Sequence, residues 1–398
     1  EGEYFLSGAG VTVTAAFDND SMIIVGGEKK AALAVGNAES TENDSIIFDG
    51  GSDSGRSTEG PVFRVSSGSE LSVYTGTVIK NCLTTVCGAA VYSEGTVAFY
   101  GGTVETCRST GSGGAFFNKG KLFLTGGSIS GGSAEFGGAV YNEGTADLIG
   151  TGISACTATK GGAVFSSGTL NFTSSSVTGC KAGEGAGVYS SGNVTFVGGQ
   201  ITDCVSTGNG GAVYNSGNAA FSGTYFSDNS AQNGGTLYNS STAEISDGSM
   251  YSGTAASCGG NIYNSDNSSL AVSGGSIGRG KAVYGGGIFN LGTLTVGGGG
   301  FTLNGERYNI ALNENGRCHL HGEQGGGRAG NTQRRKADIQ PVPLHRRKKR
   351  CVHPFRSSGR NRIRDESRAY RRPDSRNRKQ RRVQPAVFRR CRSHRRRI

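Results

Sequence analysis

The sequence predicts an all-β fold: a right-handed, single-stranded parallel β-helix of about ten coils, followed by a basic C-terminal tail that is predicted to be disordered. Three observations support this fold class. A unit of 24–26 residues recurs along the chain, apolar and polar residues alternate within each unit, and Gly, Ser and Asn separate the apolar segments. Short strands joined by turns in this way are typical of a solenoid whose coils stack on one another.

The repeat carries a signature of two glycines, any residue, an aliphatic residue, an aromatic residue, and Asn or Ser, as in "GGAVYN" at 210–215. Two more apolar columns keep the same period, and Phe63 in "GPVFRV" is interpreted as a looser member of the aromatic column. The aromatic column is Tyr92, Phe117, Tyr141, Phe165, Tyr189, Tyr214, Tyr238, Tyr263 and Phe289. The second column is Phe99, Leu124, Leu148, Phe172, Phe196, Phe221, Ile245, Val272 and Val296. The third column is Val104, Ile129, Ile153, Val177, Ile201, Phe226, Met250 and Ile277.

The alternation within each repeat indicates strands. Leu170 and Phe172 flank Asn171, for example, which is the spacing of a strand with one buried and one wet face. The glycine content and the missing three- and four-residue spacing exclude helical repeats, and the frame of leucine-rich repeats is absent. Three strands of about four residues then make one coil, with coils about 4.8 Å apart. The chirality of parallel connections predicts right-handed winding.

The recurring glycine pair and the recurring Asn have predicted structural roles. The glycines supply backbone conformations that a side chain forbids and allow coils to approach closely at the corner. The Asn that follows the aromatic residue is predicted to take a left-handed turn conformation and to form an amide ladder along the stack. These residues are Asn118, Asn142, Asn215, Asn239, Asn264 and Asn290. Asn171, Asn193 and Asn239 also begin N-x-S/T triplets, which are interpreted as turn chemistry and not as glycosylation sites.

Composition divides the chain into three segments. Residues 1–60 contain strand-like runs without the repeat period, and they are predicted to form an irregular β-rich region or the first coils. Residues 61–316 hold the repeats. Residues 1–316 carry 13 Lys and Arg against 25 Asp and Glu, and residues 317–398 carry 28 against 5, so the net charges are −12 and +23. Residues 317–398 have too few apolar residues to fold, which predicts a disordered tail.

Two explanations of the basic tail stay open. Runs such as "RRKKR" at 346–350 are typical of arms that bind nucleic acid or an anionic surface, although no specific nucleic acid partner is predicted. Alternatively, the reading frame shifts near Gly316, so that residues 317–398 are out of frame. In a shifted frame, "RCHLH" at 317–321 can be encoded as Asp-Val-Thr-Ser-Thr, which has the pattern of a further strand.

Cysteines form the first group of residues with chemical potential. Cys82, Cys107, Cys156, Cys180 and Cys204 share one column, three residues after the third apolar position. They are predicted to be small buried thiols, and vertical bridges such as Cys82–Cys107 or Cys156–Cys180 are the alternative. Residues 1–316 contain no His, which excludes Ser-His and Cys-His nucleophile pairs and imidazole metal ligands in that segment.

Carboxylates form the second group. Asp203 and Asp228 occupy one column on adjacent coils, and Glu94 and Glu143 share another column two coils apart. The aspartates are predicted to be solvated turn residues, and a shared proton or a bound Ca²⁺ is the alternative. The sequence therefore predicts no catalytic, cofactor-binding or metal-binding residues and no enzymatic activity.

The motifs resemble a known repeat family. "GGAVYN", "GGAVF", "GGAFFN" and, at Phe226–Asn229, "FSDN" resemble the two halves, GGA-[I/V] and F-x-x-N, of the polymorphic outer membrane protein repeat. Autotransporter-type adhesins and related surface β-helix proteins carry this repeat. The resemblance covers residues 61–310, and "VETC", "ISAC", "VTGC" and "ITDC" depart from it because Cys replaces Asn. The resemblance implies surface display and adhesion, with the β-helix as a rigid stalk.

These observations predict a secreted or cell-surface protein, an adhesin-like β-helix stalk that is a fragment of a larger protein. Its expected partner is a host surface protein or glycan, and the chain is expected to be a monomer. No secretion signal, anchor or transmembrane segment is recognised in the sequence. Two alternatives are a β-helix polysaccharide lyase or hydrolase and a truncated or frameshifted product without independent activity.

Overall fold

The computed structural model describes residues 2–8, 10–14, 21–37, 45–51, 60–302, 310–312 and 317–320. Every regular element in these ranges is a β-strand, and none of them contains a helix that could span a membrane. The strands form four parallel sheets, and the chain visits the sheets in a fixed order as it winds through about eleven turns. The prediction of an all-β parallel β-helix is confirmed, and its right-handed sense stays a prediction.

The first sheet carries the repeat signature, and the second follows it along the chain. The described strands of the first sheet are Ile23–Val25, Phe63–Val65, Val91–Ser93, Phe116–Asn118, Val140–Asn142, Val164–Ser166, Val188–Ser190, Val213–Asn215, Leu237–Asn239, Ile262–Asn264, Ile288–Asn290 and Ile310–Leu312. Those of the second sheet are Gly2–Leu6, Ala31–Val35, Glu70–Tyr74, Thr96–Tyr100, Lys121–Thr125, Thr145–Ile149, Thr169–Thr173, Asn193–Val197, Asn218–Ser222, Thr242–Ile245, Ser269–Val272, Thr293–Val296 and Arg317–Leu320.

The third sheet follows the second along the chain, and the fourth sheet completes the coils between Leu83 and Cys258. The described strands of the third sheet are Val11–Thr14, Ile46–Asp49, Thr77–Lys80, Thr103–Glu105, Ser128–Ser130, Gly152–Ser154, Ser176–Thr178, Gln200–Thr202, Thr224–Ser227, Gly248–Tyr251, Ser276–Gly278 and Gly300–Thr302. Those of the fourth sheet are Leu83–Thr84, Arg108–Ser109, Ser133–Phe136, Thr157–Lys160, Lys181–Glu184, Val205–Ser206, Ser230–Asn233 and Thr254–Cys258.

The hydrophobic core fills the interior of the stack. In one central coil, Val164 comes from the first sheet, Leu170 and Phe172 from the second, Val177 from the third, and Cys180 from the next corner; each is 0% exposed. The second and third apolar columns stack residue on residue in the register that the sequence predicts, as for Phe172 on Phe196 and Val177 on Ile201. Each large buried side chain contributes about 1.5 to 3 kcal/mol of gross hydrophobic stabilisation.

The three apolar columns of each repeat are expected to fill the core, but the aromatic column lies outside it. In the strand Val164–Ser166, Val164 and Ser166 are buried and Phe165 is half-buried on the opposite face. The inward apolar residue of the first sheet is therefore the aliphatic residue before the aromatic one. Aromatic rings of adjacent coils stack nearly parallel, with centroids 4.6–5.4 Å apart. We call this outer column the aromatic ladder.

Phe63 is a core residue, so its interpretation as a member of the aromatic column is wrong. The strand register sets Phe63 beside Val91, so that it points into the core, and sets Arg64 beside Tyr92. The Arg64 guanidinium carbon lies 5.2 Å from the centroid of the Tyr92 ring. Arg64 therefore covers the first ring of the aromatic ladder with a cation–π contact.

The Asn residues of the signature form the predicted amide ladder, but they do so inside the solenoid. They lie in strands and are at most 1% exposed, and none has the left-handed conformation that was predicted. The side-chain amide of Asn215 donates to Asn239 Oδ1 at 2.8 Å, and that of Asn239 donates to Asn264 Oδ1 at 2.8 Å. The amides of Asn215 and Asn239 also donate to backbone carbonyls, so these buried donors are satisfied. Asn118 Oδ1, at the N-terminal end of the ladder, has no hydrogen-bond partner among the described residues.

Left-handed backbone conformations occur at three corners of the coil, one of which lies between the second and third sheets, as at Gly150 and Gly198 with φ of 62° and 63°. At the glycine pair, Gly161 has φ 65°, and a Cβ at Gly162 would collide with the Ala186 carbonyl oxygen of the next coil, as predicted. The third corner precedes the cysteine column, where Asn81, Thr106, Ala155, Asp203 and Asp228 have φ of 53–57°. Asn and Asp tolerate this region better than most residues, which favours them there.

The cysteine column is a line of buried free thiols. Cys82, Cys107, Cys156, Cys180 and Cys204 are at most 1% exposed. Each thiol donates to the carbonyl oxygen two residues earlier at 3.3–3.7 Å. Small buried thiols are what the sequence predicted for this column.

Asn229 continues the cysteine column and shows why either Cys or Asn can occupy a position in it. Its Oδ1 accepts the Cys204 backbone N–H at 3.0 Å, just as Cys180 Sγ accepts the Cys156 backbone N–H at 3.4 Å. Its amide donates to the Ile201 carbonyl oxygen at 2.9 Å. Both residue types therefore supply an acceptor for the N–H of the preceding coil.

We expect Asn229→Ala to lower the free energy of unfolding by about 2 kcal/mol, because it leaves buried backbone groups without partners. Asn229→Cys restores an acceptor and should lose clearly less. Denaturant unfolding of both variants measures the difference. Equal losses would contradict the proposed equivalence of Cys and Asn in this column.

The N-terminal strands belong to the same sheets as the repeats. Gly2–Leu6 pairs with Ala31–Val35, which pairs in turn with Glu70–Tyr74. From Ile23 to Phe63, equivalent positions of the first sheet are 40 residues apart, so longer connections conceal the period. Arg317–Leu320, the first residues of the basic segment, pair with Thr293–Val296 as a strand. The predicted tail beyond these residues lies outside the described part of the chain.

Candidate functional site

The outer face of the second sheet is the broadest regular surface on the solenoid. Most of its strands have five residues, of which the second and fourth point into the core. In the strand Asn193–Val197, Val194 and Phe196 are buried, whereas Asn193, Thr195 and Val197 are exposed. Because adjacent strands are in register, the first, third and fifth positions form three outward columns. We call these columns together the outer face.

Polar side chains dominate the first column of the outer face, and the third column mixes polar residues with Ala and Phe. Asn218 donates to Asn193 Oδ1 at 2.9 Å, and Asn171 donates to Asp147 Oδ1 at 2.6 Å. The first column also contains several threonines and one serine: Thr96, Thr145, Thr169, Thr242, Ser269 and Thr293. Their regular spacing along the stack produces repeated donors and acceptors about 4.8 Å apart.

The fifth column adds apolar surface to the outer face. Tyr100 is 44% exposed and stacks on Tyr74 with ring centroids 5.3 Å apart. Farther along the column, Ile149 and Val197 are each 45% exposed. Exposed aromatic and aliphatic groups beside polar ladders suit contact with a partner that offers both apolar and hydrogen-bonding groups.

Asp203 and Asp228 are the first pair of carboxylates that the repeat places in one column. Asp203 and Asp228 are exposed at the left-handed corner before the cysteine column. Across the described ranges, no group of three or more His, Cys, Asp or Glu side chains is arranged to hold a metal ion. The stacked aspartates are therefore turn residues exposed to solvent.

Glu94 and Glu143 lie beside the aromatic ladder. The Tyr92 hydroxyl donates to Glu94 at 2.9 Å, and the Tyr141 hydroxyl donates to Glu143 at 3.3 Å. Lys119, on the coil between them, donates to the Tyr92 hydroxyl at 3.0 Å and lies 3.5 Å from Glu94. Partial burial opposes the charge on Lys119, but its hydrogen bond to Tyr92 and the Glu94 carboxylate outweigh burial and raise its pKa.

Tyr141, Tyr214 and Tyr263 of the aromatic ladder resist ionisation. Burial, followed by the charge and hydrogen bond of Glu143, raises the pKa of Tyr141 to about 12. Burial likewise raises the pKa of Tyr214 and of Tyr263. In the unfolded chain these hydroxyls titrate near their ordinary pKa of about 10.

Above pH 10 the unfolded chain therefore holds fewer protons than the folded chain, and stability falls as pH rises. We expect this loss to begin near the ordinary tyrosine pKa of about 10, and the Tyr141 contribution to be lost by its folded pKa of about 12. Tyrosinate absorbance and circular dichroism, recorded together, measure the effect, and Tyr141→Phe should make the decline shallower. Full ionisation of all tyrosines with an unchanged dichroism spectrum would contradict the prediction.

The three N-x-S/T asparagines occupy strands, so their interpretation as turn residues is wrong. Asn171 and Asn193 lie on the outer face, and Asn239 is 0% exposed in the inner amide ladder. Asn239 is thus shielded from any modifying enzyme in the folded protein. Asn171 and Asn193 instead contribute to the polar ladders of the outer face.

No family model matches the chain, and no match was found among curated proteins or solved structures. The outer face was not singled out from the sequence, although its signal is present. In the strands Thr169–Thr173, Asn193–Val197 and Asn218–Ser222, the residues between and beside the two core positions are Ser, Thr, Asn or apolar residues.

Proposed function

We propose that the chain is an adhesin-like β-helix stalk that binds a host protein or glycan through the outer face. It acts as a monomer at the cell surface or after secretion, and it is not an enzyme. The observation that carries the proposal is the outer face itself, a flat array of polar ladders bordered by exposed Tyr100, Ile149 and Val197. The resemblance of "GGAVYN" and "FSDN" to the polymorphic outer membrane protein repeat supports the same assignment.

The stacked coils suit a stalk because each coil is fixed by its neighbours through backbone pairing, core packing and the amide ladder. A stalk of this kind presents a long contact surface at little cost in conformational entropy. Small polar groups at regular intervals also match the repeated hydroxyls of a glycan or the exposed backbone of a protein.

The test measures binding of the purified full chain to host cells and to immobilised glycans. The variant Tyr100→Ser with Val197→Ser alters the outer face. The control, Tyr225→Ser with Val205→Ser, alters residues of similar exposure, 44% and 41%, on the third and fourth sheets. We expect the first variant alone to lose at least tenfold in affinity. Equal losses in both variants would contradict the assignment of the outer face.

Location and activity are tested separately. Surface labelling of intact cells should modify the protein, and an unlabelled protein would contradict surface display. Incubation with polyuronates should release no unsaturated sugar products; their release would instead favour a polysaccharide lyase. Translation of the gene in its other two reading frames tests whether residues 317–398 are out of frame.

A further inference from the structure

The cysteine column is a candidate site of covalent modification that does not depend on the proposed function. We propose that, under oxidising conditions, it forms disulfides between adjacent coils. One joins Cys82 to Cys107, and the other joins Cys180 to either Cys156 or Cys204. The cysteine column then contains two bridges and one remaining thiol.

The stacking of the coils brings the cysteines into range. The Lys181 N–H donates to the Cys156 carbonyl oxygen at 2.9 Å, and the Val205 N–H donates to the Cys180 carbonyl oxygen at 2.9 Å. At the other pair, the Arg108 N–H donates to the Cys82 carbonyl oxygen at 2.7 Å. Cysteines on adjacent coils are therefore about 4.8 Å apart between Cα atoms, within the range of about 4.4 to 6.8 Å that disulfides span.

Gly132 divides the column into a pair and a triad. It occupies the cysteine position on the coil between Cys107 and Cys156, so these two cysteines are two coils apart. Two coils correspond to about 10 Å, beyond the limit of about 7 Å for a bridge without backbone movement. Cys180, in the middle of the triad, can bond to only one neighbour at a time. The geometry thus fixes the number of bridges at two and restricts the triad bridge to two alternative locations.

The sulfur atoms of the column lie close to the adjacent coil, as shown by the Cys156 backbone N–H, which donates to Cys180 Sγ at 3.4 Å. When Cys180 ionises, it accepts hydrogen bonds from the thiols of Cys156 and Cys204, which lower its pKa, whereas interaction with Cys180 and burial raise the pKa of each neighbour. Interaction with Cys107, followed by burial, raises the pKa of Cys82. Cys180 is therefore the thiol of the triad most readily converted to a nucleophilic thiolate.

The oxidant is a small-molecule disulfide. The Cys180 thiolate attacks one of its sulfur atoms, forming a mixed disulfide and releasing one small thiol. The thiolate of Cys156 or Cys204 then attacks Cys180 Sγ and releases the second small thiol. Two protein thiols thus lose two protons and two electrons, and the oxidant is reduced to two thiols. Because the cysteines are buried, the first step requires local opening of the corner or precedes its closure during folding.

The experiment oxidises the full chain with oxidised glutathione, alkylates the remaining thiols and maps tryptic peptides without reduction. Cleavage after Lys and Arg isolates Cys156 in peptide 122–160 and Cys180 in 161–181. Peptide 182–279 contains both Cys204 and Cys258, so fragmentation of the linked peptide identifies which of the two is bonded to Cys180. We expect 161–181 linked to either neighbouring peptide, never to both in one molecule. Fragmentation of peptide 81–108 should show Cys82 joined to Cys107 and distinguish this bridge from any to Cys87.

Variants make the result decisive. Cys180→Ser should abolish both triad bridges and leave Cys82–Cys107 intact. If that variant does not fold, two other variants test the triad. Within it, Cys156→Ser should leave only the Cys180–Cys204 bridge, and Cys204→Ser only the Cys156–Cys180 bridge. Oxidation should also raise the midpoint of thermal unfolding of the wild-type chain by several degrees. Complete alkylation of all five cysteines after oxidation, or bridges that bypass these pairs, would overturn the proposal.

Discussion

Phe196→Ala should lower the free energy of unfolding by about 3 to 5 kcal/mol. Phe196 is 0% exposed and packs between Phe172 and Phe221, with ring centroids 5.4 and 5.0 Å away. Alanine leaves a cavity in the middle of the stack, where both neighbouring coils lose contacts. Equilibrium denaturation followed by circular dichroism measures the change.

The matched control is Thr195→Ala on the same strand. Thr195 points outward and is exposed, so this variant should change stability by no more than about 0.5 kcal/mol. A loss for Thr195→Ala as large as that for Phe196→Ala would mean that the two faces of the second sheet are assigned the wrong way round.

Asn239→Ala is expected to cost about 3 kcal/mol, because it interrupts the inner amide ladder. Asn239 accepts the Asn215 amide at 2.8 Å and donates to Asn264 Oδ1 at 2.8 Å and to the Ser269 carbonyl oxygen at 3.0 Å. Alanine removes these partners inside the core, where water cannot replace them. Thermal and denaturant unfolding both report the loss.

Asn218→Ala provides a control with the same chemical change on the surface. The amide of Asn218 donates to Asn193 at 2.9 Å, but both residues are exposed. Water can replace this bond, so we expect a change of no more than about 0.5 kcal/mol. Similar losses for Asn239→Ala and Asn218→Ala would contradict the special role of the buried ladder.

The sequence predicted the stacking register of the second and third sheets because two constraints act together there. Coil length is nearly constant, and the alternation in strands such as Thr169–Thr173 fixes which residues face inward. The N-terminal coils lack the first constraint, since the connection between Ile23 and Phe63 is long. Their strands were evident from composition, but their membership of the same sheets was not.

The first sheet was harder to predict because its signature strands have only three residues. In Val213–Asn215, an aliphatic and an aromatic residue are adjacent, so hydrophobicity alone does not show which one faces inward. The inward position of Asn215 shows that the aliphatic residue faces the core and the aromatic residue faces outward. A buried Asn is unfavourable unless it is hydrogen-bonded, so the sequence alone does not suggest this orientation. The hydrogen-bond partners are the asparagines of neighbouring coils, which become visible only once the register is established.

The alternating pattern of the outer face is present in the sequence, but it did not identify a site because the same residue types recur on other outward surfaces. Thr178 and Thr202, for example, form a similar ladder on the third sheet, with hydroxyl oxygens 3.4 Å apart. What distinguishes the outer face is its five-residue strands and the exposure of Tyr100 and Val197. Both properties depend on the folded coil.

Distances between spin labels test the stacked-coil arrangement most directly. Labels on introduced ketone side chains at outward positions of the second sheet leave the native cysteines unchanged. The register separates Thr145 from Thr242 by four coils, and Thr96 from Thr242 and Thr293 by six and eight. Pulsed electron paramagnetic resonance should give about 19, 29 and 38 Å, a constant rise of about 4.8 Å per coil. Distances that do not increase in proportion to the number of coils would contradict the parallel β-solenoid.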